Sequence, residues 1–275
     1  MKTIPFIKMA GAGNDFVIID APKAKMNLKR LAIKVCDRTN GIGADGLMVY
    51  DKSAKADYRM RIINADGSEA EMCGNGARCM AAYIVRHKRP RKKTFTMETL
   101  AGILEATAAN EVADVRLSDP EDYRPDISVD LNDRDVTVHY IDTGVPHAII
   151  YVEGLNDIEV RTIGRAIRSH EAFEPRGTNV NFVEFLEKDL VDCRTYERGV
   201  EDETKACGTG SVAAAIVSYL QLNPGIINKR GARMRVRTRS GEILRVSFDI
   251  NDCVVTNVHL KGSAKFIAHG EYYYT

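Results

Sequence analysis

Two short stretches carry the residue types best suited to chemistry, Cys73-Gly74-Asn75-Gly76 and Cys207-Gly208-Thr209-Gly210. Each sets a thiol and a Gly-x-Gly turn before an apolar, alanine-rich run, residues 79–85 in one and 212–217 in the other. The pattern predicts a turn that opens a buried helix with the thiol at its N-terminus. There the first amide groups lack helical partners and the aligned peptide dipoles favour negative charge, so a thiol becomes more acidic. Two such cysteines in similar surroundings imply a duplicated half-site with a reactive sulfur in each.

Paired thiols of this kind suit the inversion of a carbon stereocentre. That reaction needs a base on one face of a planar carbanion and an acid on the other. A thiolate and a thiol exchange those roles when the reaction runs backwards. Acid–base help alone is worth roughly 10²–10⁴-fold, too little for removing an amino-acid α-proton. The backbone amides at Gly74-Asn75 and Gly208-Thr209 would hold an α-carboxylate and take up charge as it grows. Closure of two halves over a shared cleft would exclude water. Burial raises a thiol pKa while a helix end lowers it, and the sequence leaves that balance open.

The flanking elements must position these residues. Residues 3–9 and 16–20, joined by the turn Gly11-Ala12-Gly13-Asn14-Asp15, read as a hairpin. Asn27 caps a predicted helix over 28–38, with Leu28, Leu31, Ala32 and Val35 on one face. Gly41-Ile42-Gly43-Ala44-Asp45-Gly46 matches G-x-G-x-x-G in letters alone. A dinucleotide site needs a strand before it and a helix after it, so a plain loop is expected. Strands over 47–51 and 57–64 lead through a turn at 64–69 to the first cysteine helix. The basic run 86–93 then reads as a solvated helix end, where cations are favoured. Short strands fill 94–117, and the polar stretch around Asp119-Pro120 and Pro125 reads as a turn-rich boundary.

The second half replays this order. Strands over 135–142 and 148–152 precede a helix over 160–169. Strands over 180–186 and 192–196 precede the second cysteine helix, over 208–222. Strands over 234–238, 243–248 and 254–260 follow, and residues 265–268 return to complete the first half's sheet. The expected fold is α+β. It comprises two pseudo-symmetric domains, each a mainly antiparallel sheet wrapped around a central helix: 1–118 with 263–275, and 119–262.

With 275 residues, 44% apolar and 28% charged, the chain has ample material for a core and is not expected to be disordered. A net charge of +1 gives no argument for a nucleic-acid or membrane partner. No secretory leader and no spanning segment are expected. The six cysteines (36, 73, 79, 193, 207, 253) are scattered without C-x-x-C spacing. They read as reduced thiols of a cytoplasmic protein with no structural zinc. Cys36, Cys79, Cys193 and Cys253 are expected to be inert packing residues. His87, His139, His170, His259 and His269 receive no role.

The run from Asn64 to Cys79, with its core Glu71-Met72-Cys73-Gly74-Asn75-Gly76-Ala77-Arg78, closely resembles the first signature of the diaminopimelate epimerase family. Glu197-Arg198-Gly199-Val200 with Ala206-Cys207-Gly208-Thr209-Gly210 resembles its second. Lys8-Met9, Gly13-Asn14-Asp15-Phe16, Pro146-His147 and Thr178-Asn179-Val180 fall where that family places further motifs. Proline racemases share the two-cysteine plan, but carry histidine where this chain has Asn75. The resemblance implies a metal-free, PLP-independent epimerase with no cofactor, interconverting LL- and meso-diaminopimelate for lysine and peptidoglycan precursors. It implies Cys73 and Cys207 as the acid/base pair. Asn14, Asn64, Asn179 and Arg198 would grip the small amino-acid substrate, and Gly74, Asn75, Gly208 and Thr209 would seat its α-carboxylate. His147 and Glu197 would contact its ammonium and tune the thiols. A homodimer is compatible with this reading.

Three positions depart from the commoner family pattern: Val145 before Pro-His, Gly46, and a loop at 200–204 that is one residue longer. Two rival functions stand beside the main one. The first is a racemase of a smaller amino acid on the same plan. The second is a thiol redox protein in which Cys73 and Cys207 join on oxidation.

Overall fold

Positive φ at Ala12 and Gly13 (50° and 93°) gives the two-residue turn that matches strand twist. It joins β1 (Lys2–Gly11) to β2 (Asn14–Asp20) as an antiparallel hairpin with Gly11 opposite Asn14. The structure is a computed structural model that describes residues 2–22, 26–131 and 135–274. The chain forms two compact units, Met1–Arg116 with Lys261–Thr275, and Leu117–Leu260. Among the described residues no helix is long and apolar enough to cross a membrane.

In the first unit Asn27 caps α1 (Leu28–Cys36) by accepting the Arg30 amide. The helix stops two residues short of the expected end because the Asp37 carboxylate takes the Thr39 and Asn40 amides and turns the chain. The Gly-rich loop folds back on that end, where Ile42 and Gly43 both donate to the Val35 carbonyl. A methyl group on Gly41 would meet the Lys34 carbonyl oxygen at 2.3 Å. These glycines close a helix and enter β3 (Gly46–Asp51) directly. Next come β4 (Tyr58–Asn64), the two-residue β5 (Glu69–Ala70) and α2 (Gly74–Lys88). Strands β6 (Thr94–Thr99), β7 (Gly102–Ala109) and β8 (Val112–Arg116) complete this run.

The second unit opens on β9 (Glu121–Asp130), a ten-residue strand where the sequence reads as turn. Its side chains are mostly exposed, so no apolar alternation marks it. Left-handed backbone at Asp122 and Asp126 and register shifts opposite its partner give the irregularity that Pro125 signals. That partner is β10 (Asp135–Asp142), followed by β11 (Pro146–Tyr151), α3 (Val160–Arg168), β12 (Asn179–Glu187) and β13 (Leu190–Glu197). The short β14 (Asp202–Thr204) precedes α4 (Gly208–Leu222). Then come β15 (Lys229–Thr238), β16 (Ile243–Asn251) and β17 (Val254–Ser263). Finally β18 (Lys265–Tyr274) pairs antiparallel with β1 in the first unit.

The duplication, faint in sequence, is plain in the pairing. β1–β2, β2–β3, β3–β4, β4–β6 and β6–β7 run antiparallel, parallel, antiparallel, parallel, antiparallel. The pairs β10–β11, β11–β12, β12–β13, β13–β15 and β15–β16 repeat that order. Outer helices α1 and α3 cover one core cluster in each unit. Central helices α2 and α4 are sunk in the sheets: Ala77 to Ile84 and Gly210 to Ser218 are buried. Alanine and glycine make this burial feasible, since larger side chains on every face would hold the strands away.

Close approach also governs α3, where a methyl on Gly164 would lie 2.6 Å from Tyr196 Cβ on β13. Gly164→Val is therefore expected to lower unfolding stability by about 1–3 kcal/mol, read as an earlier urea midpoint.

Candidate active site

Cys73 is the N-cap of α2, with extended backbone (φ −142°, ψ 118°), and its Sγ accepts the Gly76 amide at 3.5 Å. Sulfur thus fills the place usually held by Ser, Thr or Asp. The side chain is half-buried. A methyl on Gly76 would press on Ile62 Cδ1 and Met48 Sδ at 3.3 Å, so the helix start rests on an apolar floor. Gly74 and Asn75 are buried. The Asn75 carboxamide accepts from Arg78 Nη2 at 2.7 Å and donates to Asn14 Oδ1 at 2.7 Å. Arg78 is fully buried and also reaches the Gly74 carbonyl. Asn14 donates in turn to Asp45 Oδ2 at 2.9 Å. Arg38 ties Asp45 to Asp15, and Lys8 binds Asp15 and the Gly43 carbonyl. Burial pushes the Asp15 carboxyl up, but Arg38 and Lys8 outweigh it and hold its pKa at about 2. Asn14 is therefore the middle of a polar chain, more than a turn-former. Asn64 ends β4 on the surface, where its side chain donates to Ser68 Oγ at 3.0 Å.

Cys207 repeats the capping arrangement on α4 (φ −112°, ψ 118°), its Sγ accepting the Gly210 amide at 3.4 Å. Thr209 Oγ1 lies 3.4 Å from the same sulfur. His147 enters from the start of β11 with no exposed surface. Its Nε2 is 3.0 Å from Thr209 Oγ1 and its Nδ1 is 3.0 Å from Asn181 Nδ2. Burial and the Arg198 charge lower the His147 pKa to about 3, so the ring is neutral. Burial also drives the Cys207 thiol far above its ordinary range, and the Glu197 charge adds to this. Thr209 and the Gly210 amide oppose that rise without reversing it, so the sulfur rests as a thiol. The contest between burial and helix end is decided here in favour of burial. Glu197, half-buried at the end of β13, is itself raised by burial, with Thr204 opposing.

Asn179 ties two elements together: Nδ2 donates to the Pro146 carbonyl at 2.9 Å, and Oδ1 accepts the Arg198 amide at 2.8 Å. Arg198 donates from Nη1 to the Arg176 carbonyl at 2.8 Å. In the loop before Cys207 the backbone is left-handed at Gly199 and Glu201. The Glu201 carboxylate takes the Gly199 amide and Arg168 Nε, and β14 then returns along β13.

The structure thus gathers Asn14, Gly74 and Asn75 around the start of α2. It gathers His147, Asn179, Glu197, Arg198, Gly208 and Thr209 near the start of α4. Both His147 ring nitrogens are engaged inside the protein, and the ring reaches Cys207 through Thr209. Sequence reasoning missed Asp45, Arg78, Asn181 and Thr195. Asn181 was detectable as a polar residue between Val180 and Phe182, on the strand face of Asn179. Cys36 and Cys193 are buried thiols pushed up to about 12 by burial, and Cys79 is buried too. Cys253 is not a packing residue; it is exposed, on a turn with φ 65°. Among the described residues no cluster of His, Cys, Asp and Glu is arranged to hold a metal ion.

A histidine held neutral to about pH 3, against an ordinary 6.5, makes folding proton-sensitive. Between those values the unfolded chain binds a proton that the folded ring refuses, so stability falls as pH drops from 6.5 towards 3. His147→Gln is expected to flatten that acid limb, measured as urea midpoint against pH.

The family model for diaminopimelate epimerase matches residues 6–119 and 139–266. A diaminopimelate epimerase of Aquifex aeolicus is 39% identical over 96% of this chain and 96% of its own. One from Chlorobaculum tepidum is 40% identical over 95% of this chain and 98% of its own. Among solved structures, a phenazine biosynthesis protein of the PhzF family from Bacillus anthracis superposes with a TM-score of 0.74 at 20% identity, covering 100% of both chains. A hydroxyproline epimerase from Agrobacterium vitis, with bound trans-4-hydroxy-L-proline, gives 0.70 at 14% identity over 98% of this chain and 92% of its own. These two likenesses establish the α+β fold, and the sequence matches over nearly the whole length establish more: the chain belongs to the diaminopimelate epimerase family.

Proposed function

We propose that this protein interconverts LL- and meso-2,6-diaminopimelate without a cofactor, supplying lysine and peptidoglycan precursors. Cys73 and Cys207 serve as thiolate base and thiol acid. One sulfur takes the α-proton from one face of the carbon, and the other delivers its own proton to the opposite face. The product leaves with the protonation of the two sulfurs exchanged. The observation that carries this reading is that each unit of a diaminopimelate epimerase family member starts its buried helix on a cysteine sulfur.

The amides of Gly74-Asn75 and Gly208-Thr209 seat the α-carboxylate, where the helix ends favour negative charge. Asn14, Asn64, Asn179 and Arg198 recognise the rest of the substrate, chiefly its distal end. Glu197 takes the α-ammonium. That has a direct consequence at Cys207, whose thiolate is disfavoured by the Glu197 charge. An ammonium placed on Glu197 offsets that charge and so removes one of the effects that disfavour the thiolate, the larger one being burial. The metabolic setting is cytoplasmic, and a homodimer accords with the family likeness.

The test is epimerisation of diaminopimelate under reducing conditions, with deuterium uptake at Cα from heavy water. Cys73→Ala and Cys207→Ala should each cut kcat/KM by at least about 10²-fold, with about 0.5–2 kcal/mol of stability lost from the vacated cap. Silence on diaminopimelate with exchange of proline or glutamate would replace the substrate. Full epimerisation in both variants would remove the two-base mechanism.

A further inference from the structure

We propose that Asn181 is a positioning residue for Cys207: it fixes the His147 tautomer, so that the Thr209 hydroxyl turns its hydrogen towards the sulfur. The inference rests on Cys207 being an acid/base group, as read above. It concerns four side chains of one unit, Thr195, Asn181, His147 and Thr209.

The donor and acceptor roles follow from one fixed end. The Ala148 carbonyl can only accept, and it lies 3.0 Å from Asn181 Nδ2, which sets the carboxamide's orientation. On the other side the Thr195 hydroxyl, able to donate or accept, meets that orientation by donating to Asn181 Oδ1 at 2.9 Å. Asn181 Nδ2 has one further hydrogen, and His147 Nδ1 is 3.0 Å from it. Nδ1 must therefore be the bare, accepting nitrogen. A neutral imidazole then carries its proton on Nε2 and donates to Thr209 Oγ1, 3.0 Å away. With that oxygen accepting from the ring, the Thr209 hydrogen is available to Cys207 Sγ at 3.4 Å.

The first unit shows that this polar set is not needed to build the fold. Asn181 lies opposite Thr195 in the β12–β13 register, and Met48 lies opposite Ile62 in the matching β3–β4 register. Both pairs sit under the helix start. A methyl on Gly210 would come within 2.4 Å of Asn181 Oδ1, just as one on Gly76 would meet Met48 and Ile62. A thioether and an aliphatic chain fill that place beside Cys73. Buried amides and hydroxyls need every partner in place to avoid a penalty. Their presence beside Cys207 alone therefore serves the sulfur they lead to.

The experiment uses the full chain labelled with ¹⁵N at histidine, with the His147 signals assigned by their loss in His147→Gln. Wild type should show Nε2 protonated and Nδ1 bare. Asn181→Asp, nearly isosteric, presents a carboxylate that demands a proton on Nδ1. The tautomer should reverse, and Thr209 should then donate to the ring instead of the sulfur. The pH at which iodoacetamide alkylates Cys207 should rise, while that of Cys73 stays put. Turnover should drop about ten- to a hundredfold, as expected for losing a hydrogen bond to a charged group, with KM little changed. Asn181→Asp combined with Thr209→Val should be no slower than Thr209→Val alone, because both cut one relay. Should Asn181→Asp fail to fold, the wild-type His147 tautomer decides by itself.

A wild-type His147 protonated on Nδ1, or a Cys207 alkylation profile unmoved by Asn181→Asp, overturns the proposal. Neither measurement needs substrate. An inactive protein with the expected tautomer therefore counts against the diaminopimelate reading and not against this one.

Discussion

A helix sunk in a sheet begins with amide groups that have no partner inside the helix, and something must accept from them. In both units that acceptor is a cysteine sulfur. The rest of the architecture follows from keeping the sulfur there. Small residues let the strands close around the helix, Gly76 and Gly210 let its first turn touch the sheet, and short strands β5 and β14 lead the chain into the cap. The amides that hold sulfur, at Gly76 and Gly210, belong to the same first turns as those proposed to seat a carboxylate, so capping and substrate seating share one helix end.

The two caps share a backbone plan and differ in their surroundings. Arg78, fully buried one turn into α2, has Val212 at the matching place in α4. Asn75 leads outward through Asn14 to Asp45, whereas Thr209 leads inward through His147 to Asn181. Beside Cys207 stands the acidic Glu197. An anion thus stands by Cys207, whereas the buried cation of the first unit is held by the Gly74 carbonyl and the Asn75 carboxamide. Duplicated halves have diverged in their buried polar groups while preserving strand order and polarity of pairing.

Much of this was legible because the strongest signals were local. Cys-Gly-x-Gly before a small-residue run marks both central helices, and the structure starts them at Gly74 and Gly208. The tail's return to the first sheet was readable from its β-like residues, and it pairs along β1. Strand β9 was not legible, because an exposed, bulged strand has no apolar side to reveal it. The polar network was hidden for another reason. Asn181 and Thr195 lie fourteen positions apart in sequence and meet only through the β12–β13 register. The burial of Arg78 left no mark in the sequence, since burying a guanidinium makes sense only once its partners are known. Cys253 reads like any other cysteine until the turn carrying it is seen at the surface.

The pairing of β18 with β1 joins the two extremes of the described chain in one sheet, whereas the second unit is continuous from Leu117 to Leu260. On a ribosome the early residues of the first unit emerge long before the strand that covers β1. The second unit, by contrast, has all its strands in hand as soon as it has cleared the exit tunnel. Nascent chains generally fold their leading portion first, but here the leading portion waits on the trailing one. Until the last strand arrives, β1 presents one open side, with backbone groups able to recruit a stranger's strand.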